Sequence, residues 1–136
     1  MNTKDKGDYA EALFIAKAIK KGYVVSVPTG DNAPYDCILD VNGSLKKVQV
    51  KGRYSKEEGS VLIIPLQSSR NYINKKQYHY TEVVDYLAVV DLGTDQVYLL
   101  DMSDDCFNGK NIINLRLKVA KNNNTKLVNL AEDYRF

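Results

Sequence analysis

Residues 35–53 read Tyr-Asp-Cys-Ile-Leu-Asp-Val-Asn-Gly-Ser-Leu-Lys-Lys-Val-Gln-Val-Lys-Gly-Arg, and this stretch decides the fold. At its centre is Asn42-Gly43, a pair typical of two-residue hairpin turns because both residues tolerate positive φ. We therefore predict a β-hairpin over these residues. A two-residue turn also sets the register, and it places Asp36 directly opposite Gln49.

The two faces of this hairpin differ in polarity. Because side chains alternate across a strand, Asp36, Gln49 and Lys51 share one face. The other face is apolar and suits a core: Cys37, Leu39, Val41, Val48 and Val50. A carboxylate, an amide oxygen and an amine thus converge on the polar side. These groups can hold a divalent metal and orient a water for phosphodiester hydrolysis.

The pattern Pro34-Tyr35-Asp36 followed by Gln49-Val50-Lys51 resembles the bipartite motif of the PD-(D/E)XK nucleases. The resemblance extends upstream to a helix that bears Glu11. It extends downstream to residues 85–91, which resemble a later core strand of that fold, so that about residues 7–102 fit the pattern. Within this superfamily the chain is similar to the homing endonucleases encoded in bacterial group I introns, particularly the cyanobacterial type.

This resemblance implies the catalytic residues and their cofactor. Mg²⁺ would be held by Glu11, Asp36 and Gln49, with Val50 in the same metal site, and Lys51 would orient or help deprotonate the attacking water. The family usually has Glu or Asp where this chain has Gln49. A neutral ligand brings less negative charge to the metal, so the charge of Glu11 becomes more important.

The other elements follow from periodicity and turn residues. We predict a helix over residues 8–21, with Ala12, Ile15, Ala16 and Ile19 recurring at helical spacing. Tyr9, Ala12 and Phe14 are expected to pack this helix against the sheet. Strands are predicted at 23–28, 61–66, 86–91, 97–101 and near 112–117, followed by a helical tail. This order favours an α/β fold in which a mixed central β-sheet is flanked by helices, as in the restriction-endonuclease-like core. We expect one nuclease domain over residues 1–136.

Composition narrows the class of protein. The chain has 136 residues, 44% hydrophobic and 26% charged, with a net charge of +2. A nucleic-acid surface must therefore arise from segregated charge rather than from an excess of it. The apolar stretches are too short to cross a membrane, and the first residues carry no apolar signal core. We expect a cytoplasmic protein in which Cys37 is a buried, reduced thiol.

Basic and amide-rich residues cluster in and after the hairpin. The predicted DNA-binding residues are Lys46, Lys47, Arg53, Lys56, Ser68, Ser69, Arg70, Asn71, Tyr72, Lys75 and Lys76. Such runs are usually solvated surface. This mixture of cations, amides and hydroxyls nevertheless suits contacts to phosphates and base edges. The segment Lys121–Lys126 is either another such contact or a simple loop.

Other sites have weaker support in the sequence. His79 is the single histidine, and neither a zinc site nor a serine triad is predicted around it. Glu82 and Asp85 form an acidic pair that we interpret as strand-entry charge, with a second metal site as the minor alternative.

The sequence thus predicts a Mg²⁺-dependent, site-specific endonuclease of homing type that acts on double-stranded DNA. One small domain with one active site cuts one strand, so we expect a homo-oligomer, a dimer or a tetramer. Two alternatives stay open. One is a structure-specific nuclease such as a Holliday-junction resolvase. The other is a non-catalytic DNA-binding module with a degenerate nuclease core.

Overall fold

The computed structural model describes residues 1–68, 77–118 and 129–136. The helices are α1 (Thr3–Lys20) and α2 (Tyr80–Val83). The strands are β1 (Val24–Ser26), β2 (Cys37–Val41), β3 (Ser44–Arg53), β4 (Val61–Pro65), β5 (Tyr86–Asp91), β6 (Val97–Asp101), β7 (Ile112–Arg116) and β8 (Asn129–Leu130). Short 3₁₀ turns at Asp105–Phe107 and Ala131–Tyr134 complete the described chain.

The predicted hairpin is confirmed in position and register. Strands β2 and β3 pair antiparallel, with Val41 opposite Ser44 at the turn and Cys37 opposite Val48 at the far end. Asn42 and Gly43 both have positive φ, 53° and 89°, as this class of turn requires. The regular ladder stops at Cys37, so Asp36 precedes the strand instead of lying within it.

Strand β3 lies at the centre of a five-stranded mixed sheet with the order β1-β2-β3-β5-β6. It runs parallel to β5 and antiparallel to β2. Helix α1 covers one face of this sheet. The predicted apolar face of the hairpin does form the core there, where Cys37, Leu39, Val48 and Val50 are buried with side chains of α1.

The face of α1 that enters this core agrees with the predicted one only in part. Phe14 is fully buried, as predicted, and Ala10 and Ala18 are buried beside it at helical spacing. Ala12 is exposed, and Ile19 keeps 59% of its surface exposed. The prediction was wrong for these two residues because small apolar residues occupy more than one side of this helix. The helix also begins earlier than predicted, with the Asn2 side chain accepting from the Asp5 N–H at 2.8 Å.

The other face of the central sheet packs against a second sheet, together with the short helix α2. This sheet has the order β4-β7-β8. Leu62 and Ile64 of β4 share a buried cluster with Leu87 and Val89 of β5 and with Tyr80 of α2. The predicted α/β class, with a mixed central sheet flanked by helices, is confirmed. The second sheet was not predicted. The predicted helical tail is a 3₁₀ turn after the short strand β8.

Some predicted features fall outside the described residues. The DNA-binding candidates there are Ser69, Arg70, Asn71, Tyr72, Lys75 and Lys76, and the Lys121–Lys126 segment lies outside as well. In the part of the chain that is described, no helix has both the length and the apolar character needed to cross a membrane.

Helix α1 packs tightly against β3 at Gly52. A Cβ atom placed on this residue would lie 3.0 Å from the Cβ of Ala10 and 3.1 Å from Cδ2 of Leu92. The missing side chain at Gly52 therefore allows the helix to lie close against the strand that carries Gln49 and Lys51.

We predict that Gly52→Ala lowers the free energy of unfolding by about 1–3 kcal/mol, because an added methyl group overpacks this contact. Urea unfolding measures the change. Gly7→Ala is the matched control, since it lies in α1 with nothing within 4 Å of an added Cβ. The control should stabilise the helix slightly. Equal stability of the Gly52 variant and the parent protein would contradict the close approach.

Candidate active site

Asp36 is fixed by two hydrogen bonds to β3. Its backbone N–H donates to the Val48 carbonyl at 2.8 Å, and its Oδ2 accepts from the Val50 N–H at 2.8 Å. The carboxylate thus accepts a strand N–H just beyond the end of the β2 ladder. Because the bond is to Val50, it places the half-buried acid beside β3 between Gln49 and Lys51.

The backbone of Val50 faces Asp36. A strand residue in a hydrogen-bonded pair directs its N–H and C=O toward the same neighbour. Since the N–H of Val50 points at Asp36, its carbonyl oxygen lies on the Asp36 side of β3. The Val50 side chain, in contrast, is buried against α1. Only the backbone carbonyl of this predicted metal-site residue can serve as a ligand.

Gln49 and Lys51 lie on the face of β3 that points away from α1. They stand beside Leu87 and Val89 of β5 in the parallel ladder, and both are half-buried. The Nζ atom of Lys51 lies 5.5 Å from the centroid of the Tyr80 ring. Partial burial limits the water around this ammonium and strengthens its interactions with neighbouring charges.

The buried Cys37 thiol lies in the core that the hairpin shares with α1. Its pKa is raised to about 12, mainly by burial and further by the negative charges of Asp36 and Glu11. Asp36 precedes Cys37 in the chain, and Glu11 follows Ala10, which packs in the same core. Both predicted acids are therefore chain neighbours of residues in this core.

The donor atoms of these residues suit a hard cation. Glu11 and Asp36 offer carboxylates, Gln49 an amide oxygen and Val50 a carbonyl, and oxygen ligands are those Mg²⁺ prefers. Within residues 1–68, 77–118 and 129–136, no group of three or more His, Cys, Asp or Glu could hold a metal. The candidate metal ligands include only two acids, Glu11 and Asp36, because position 49 carries a neutral Gln in place of a third acid. It fits Mg²⁺ better than zinc, which favours Cys and His.

The acidic pair at Glu82 and Asp85 has a structural explanation. Oδ2 of Asp85 accepts from the Lys47 N–H at 2.8 Å, and the Asp85 N–H donates to the Lys47 carbonyl at 2.9 Å. Asp85 thereby fastens the entry of β5 to β3, while Glu82 is exposed. This agrees with the strand-entry interpretation.

The single histidine also has structural partners. Nε2 of His79 lies 2.6 Å from the Lys110 carbonyl, so it is the nitrogen that donates. Nδ1 then accepts from the Thr81 N–H at 3.2 Å and caps α2. These contacts give His79 a structural role at the start of α2.

The predicted DNA-binding residues in the described chain are unevenly accessible. Lys47 and Lys56 are exposed, and Lys46 is half-buried. Arg53 is half-buried, with Nη1 donating to the Gly52 carbonyl at 2.9 Å. Ser68 retains only 5% of its surface, and its N–H donates to the Tyr78 carbonyl at 2.9 Å, so a DNA contact by this residue stays a prediction.

Tyr80 is a residue of this site that sequence reasoning missed. It lies 29 positions after Lys51 by their numbers, and nothing in the local pattern links the two. Its position depends on the pairing of Gln67 with His79, which brings the start of α2 to the end of β4. Only the three-dimensional contact reveals the connection.

Comparisons with known proteins agree with this geometry. The sequence model described as PD-(D/E)XK endonuclease matches residues 1–136. A solved structure, that of the bacterial homing endonuclease I-Ssp6803I, is similar at 26% identity with a TM-score of 0.74, covering 99% of this chain and 89% of that one. No curated protein matches the chain. The family match over the full length confirms the predicted resemblance: the chain belongs to the PD-(D/E)XK endonuclease family.

Proposed function

We propose that this nuclease is a metal-dependent endonuclease of homing type that cleaves double-stranded DNA at specific sites. The observation that carries the proposal is the bond from the Val50 N–H to the Asp36 carboxylate. It holds one acid at the point on β3 where Gln49 and Lys51 flank it. The family match and the likeness to a homing endonuclease support the same reaction class.

The residues of the site divide the work of hydrolysis. Glu11, Asp36, Gln49 and the Val50 carbonyl would hold Mg²⁺, which when bound stabilises charge on the phosphoryl oxygens and acidifies a water. The Lys51 ammonium is placed to donate a hydrogen bond to the attacking water and to offset the charge that develops on the phosphate. The hydrogen bond from Val50 keeps the Asp36 carboxylate oriented without further rearrangement of the hairpin.

Cleavage of both strands requires more than one copy of the chain. We infer that a single nuclease domain over residues 1–136 carries one active site and cuts one strand. A symmetric dimer or tetramer would place two sites on the two strands of a duplex. Exposed Lys47, on the same face of β3 as Gln49, is suited to a phosphate contact beside the site.

A randomised duplex library incubated with Mg²⁺ tests the function. We expect cuts at a defined sequence, loss of cutting with EDTA and loss in the Lys51→Met variant. Sequencing of the cut ends gives the preferred site and the stagger. Binding without any metal-dependent nicking would support the non-catalytic alternative, which the neutral Gln49 favours. Cleavage confined to four-way junctions would show that the enzyme recognises the shape of DNA and not its sequence.

Gln49→Glu tests the proposed metal ligand. If the Gln49 amide oxygen ligates Mg²⁺, the added charge should tighten metal binding and lower the Mg²⁺ concentration at half-maximal cleavage about tenfold. We predict no direction for the change in the maximal cleavage rate, because a more neutralised metal is a weaker Lewis acid. A Mg²⁺ titration of cleavage measures the midpoint.

The melting temperature without metal provides the second readout for Gln49→Glu. Without a bound cation, Glu at this position would stand near the Asp36 carboxylate and repel it. A lower melting temperature in EDTA that recovers in Mg²⁺ fits a ligand. A variant that melts lower in both conditions, with an unchanged Mg²⁺ midpoint, would exclude the ligand role.

A further inference from the structure

The ring of Tyr80 lies under the ammonium group of Lys51. The Nζ atom of Lys51 is 5.5 Å from the ring centroid, within the range of cation–π attraction. Tyr80 keeps only 2% of its surface exposed, and Lys51 is half-buried. Attraction between a cation and an aromatic face increases when water is excluded.

We propose that Tyr80 is a positioning residue for DNA cleavage, acting through Lys51. The lysine side chain is long and flexible, and fixing its rotamers is unfavourable in entropy. The aromatic face offers the ammonium one preferred location on the polar side of β3. This inference rests on the proposed function, in which Lys51 serves the attacking water.

The backbone around Tyr80 is firmly anchored, as a positioning residue requires. Its N–H donates to the Leu66 carbonyl at 2.8 Å, and its own carbonyl accepts from the Val84 N–H at 3.0 Å. The preceding His79 caps α2 through Thr81 and contacts the Lys110 carbonyl at 2.6 Å. The ring is therefore carried by a segment bonded to β4 on one side and to the loop before β7 on the other.

The chain neighbours of Lys51 are constrained as well. Val50 donates its N–H to Asp36, and Gly52 lies against Ala10 of α1. The Lys51 backbone thus has a fixed place between the acid and the helix. The Lys51 side chain therefore extends from a fixed backbone position, and its ammonium meets the Tyr80 ring.

The contact can be tested without any cleavage. We compare Tyr80→Phe, which keeps the ring, with Tyr80→Leu, which removes it. NMR of the Lys51 side chain should show ring-current shifts of its ε protons in the parent protein and in Tyr80→Phe. The shifts should vanish in Tyr80→Leu. Identical Lys51 shifts in all three proteins would overturn the proposal, whether or not the protein cleaves DNA.

Single-turnover cleavage tests the catalytic consequence. Tyr80→Leu should lower the rate at saturating DNA about tenfold, with DNA affinity unchanged, while Tyr80→Phe stays within about threefold of the parent. In a Lys51→Met background, Tyr80→Leu should cause no further loss. An equal loss in that background would show that the ring is merely structural and would overturn the inference.

A matched variant separates the ring contact from general core damage. Phe107 is also fully buried in the cluster that contains Tyr80, and Phe107→Leu likewise replaces a buried ring with an aliphatic side chain. Melting temperatures should fall in both leucine variants, whereas the drop in rate at a temperature well below melting should be specific to Tyr80. A comparable drop in both would contradict a positioning role. Wild-type cleavage by Lys51→Met would instead remove Lys51 from the proposed mechanism, while the NMR comparison would still decide the contact.

Discussion

Lys51→Met is expected to reduce DNA cleavage by about 10²–10³-fold, the loss typical when one donor that stabilises the transition state is removed. Methionine keeps the length and most of the apolar stem, so the packing beside Val89 should persist. DNA affinity should change little, because one half-buried ammonium contributes little to a duplex contact that many cations share. Single-turnover rates and equilibrium binding, measured in Mg²⁺ on the same duplex, separate the two effects.

A lysine away from the site gives the control. Lys20 is exposed in the last turn of α1, and Lys20→Met changes the net charge by the same amount. Its cleavage rate should match the parent protein. If Lys51→Met cleaves as fast as Lys20→Met, then the ammonium does not act on the water and another group must be sought.

Asp36→Asn should lower the rate of DNA cleavage about 10³-fold at fixed Mg²⁺, since the variant loses a charge that the metal requires. The fold should survive this change. The Asn side-chain oxygen can still accept from the Val50 N–H, as Oδ2 of Asp36 does at 2.8 Å. DNA binding in Ca²⁺ should therefore remain, and melting temperature should be close to that of the parent protein.

Comparison with Asp36→Ala isolates the structural part of this role. Alanine leaves the half-buried Val50 N–H without its acceptor, which should cost about 1–3 kcal/mol of stability. Asp40→Asn is a matched control, because Asp40 also accepts a backbone N–H in the hairpin, that of Gly43 at 2.7 Å. It should cut DNA normally. Normal cutting by Asp36→Asn would remove Asp36 from the metal site.

Local signals account for the part of the fold that the sequence predicts well. The Asn42-Gly43 turn specifies its own conformation and fixes the register of the residues on either side. That register is what placed Gln49 and Lys51 on one face, and β2 and β3 pair accordingly. The main difference at the site is small: Asp36 is bonded through its side chain to Val50, instead of pairing as a strand residue.

Non-local contacts account for what the sequence did not predict. Strand β4 pairs with β7. No local pattern in the sequence between these two strands indicates that they pair. The periodicity of the sequence therefore did not predict the second sheet. The position of Tyr80 under Lys51 depends on another non-local pairing, that of Gln67 with His79, which brings the start of α2 to the end of β4. The buried face of α1 was predicted correctly only at Phe14, because two faces of the helix carry apolar residues and tertiary packing selects between them.

The location of Cys37 has a consequence for which metals the site accepts. A thiol beside a metal site would offer zinc or cadmium ions a sulfur ligand, which these ions prefer. Here burial beneath α1 is the main cause that raises the pKa of the Cys37 thiol to about 12, and the negative charges of Asp36 and Glu11 raise it further. The thiol is therefore protonated at neutral pH, and its side chain lies in the apolar core. The packing that excludes water from the sulfur thus leaves oxygen atoms as the available ligands, and these are the ligands that a hard cation prefers.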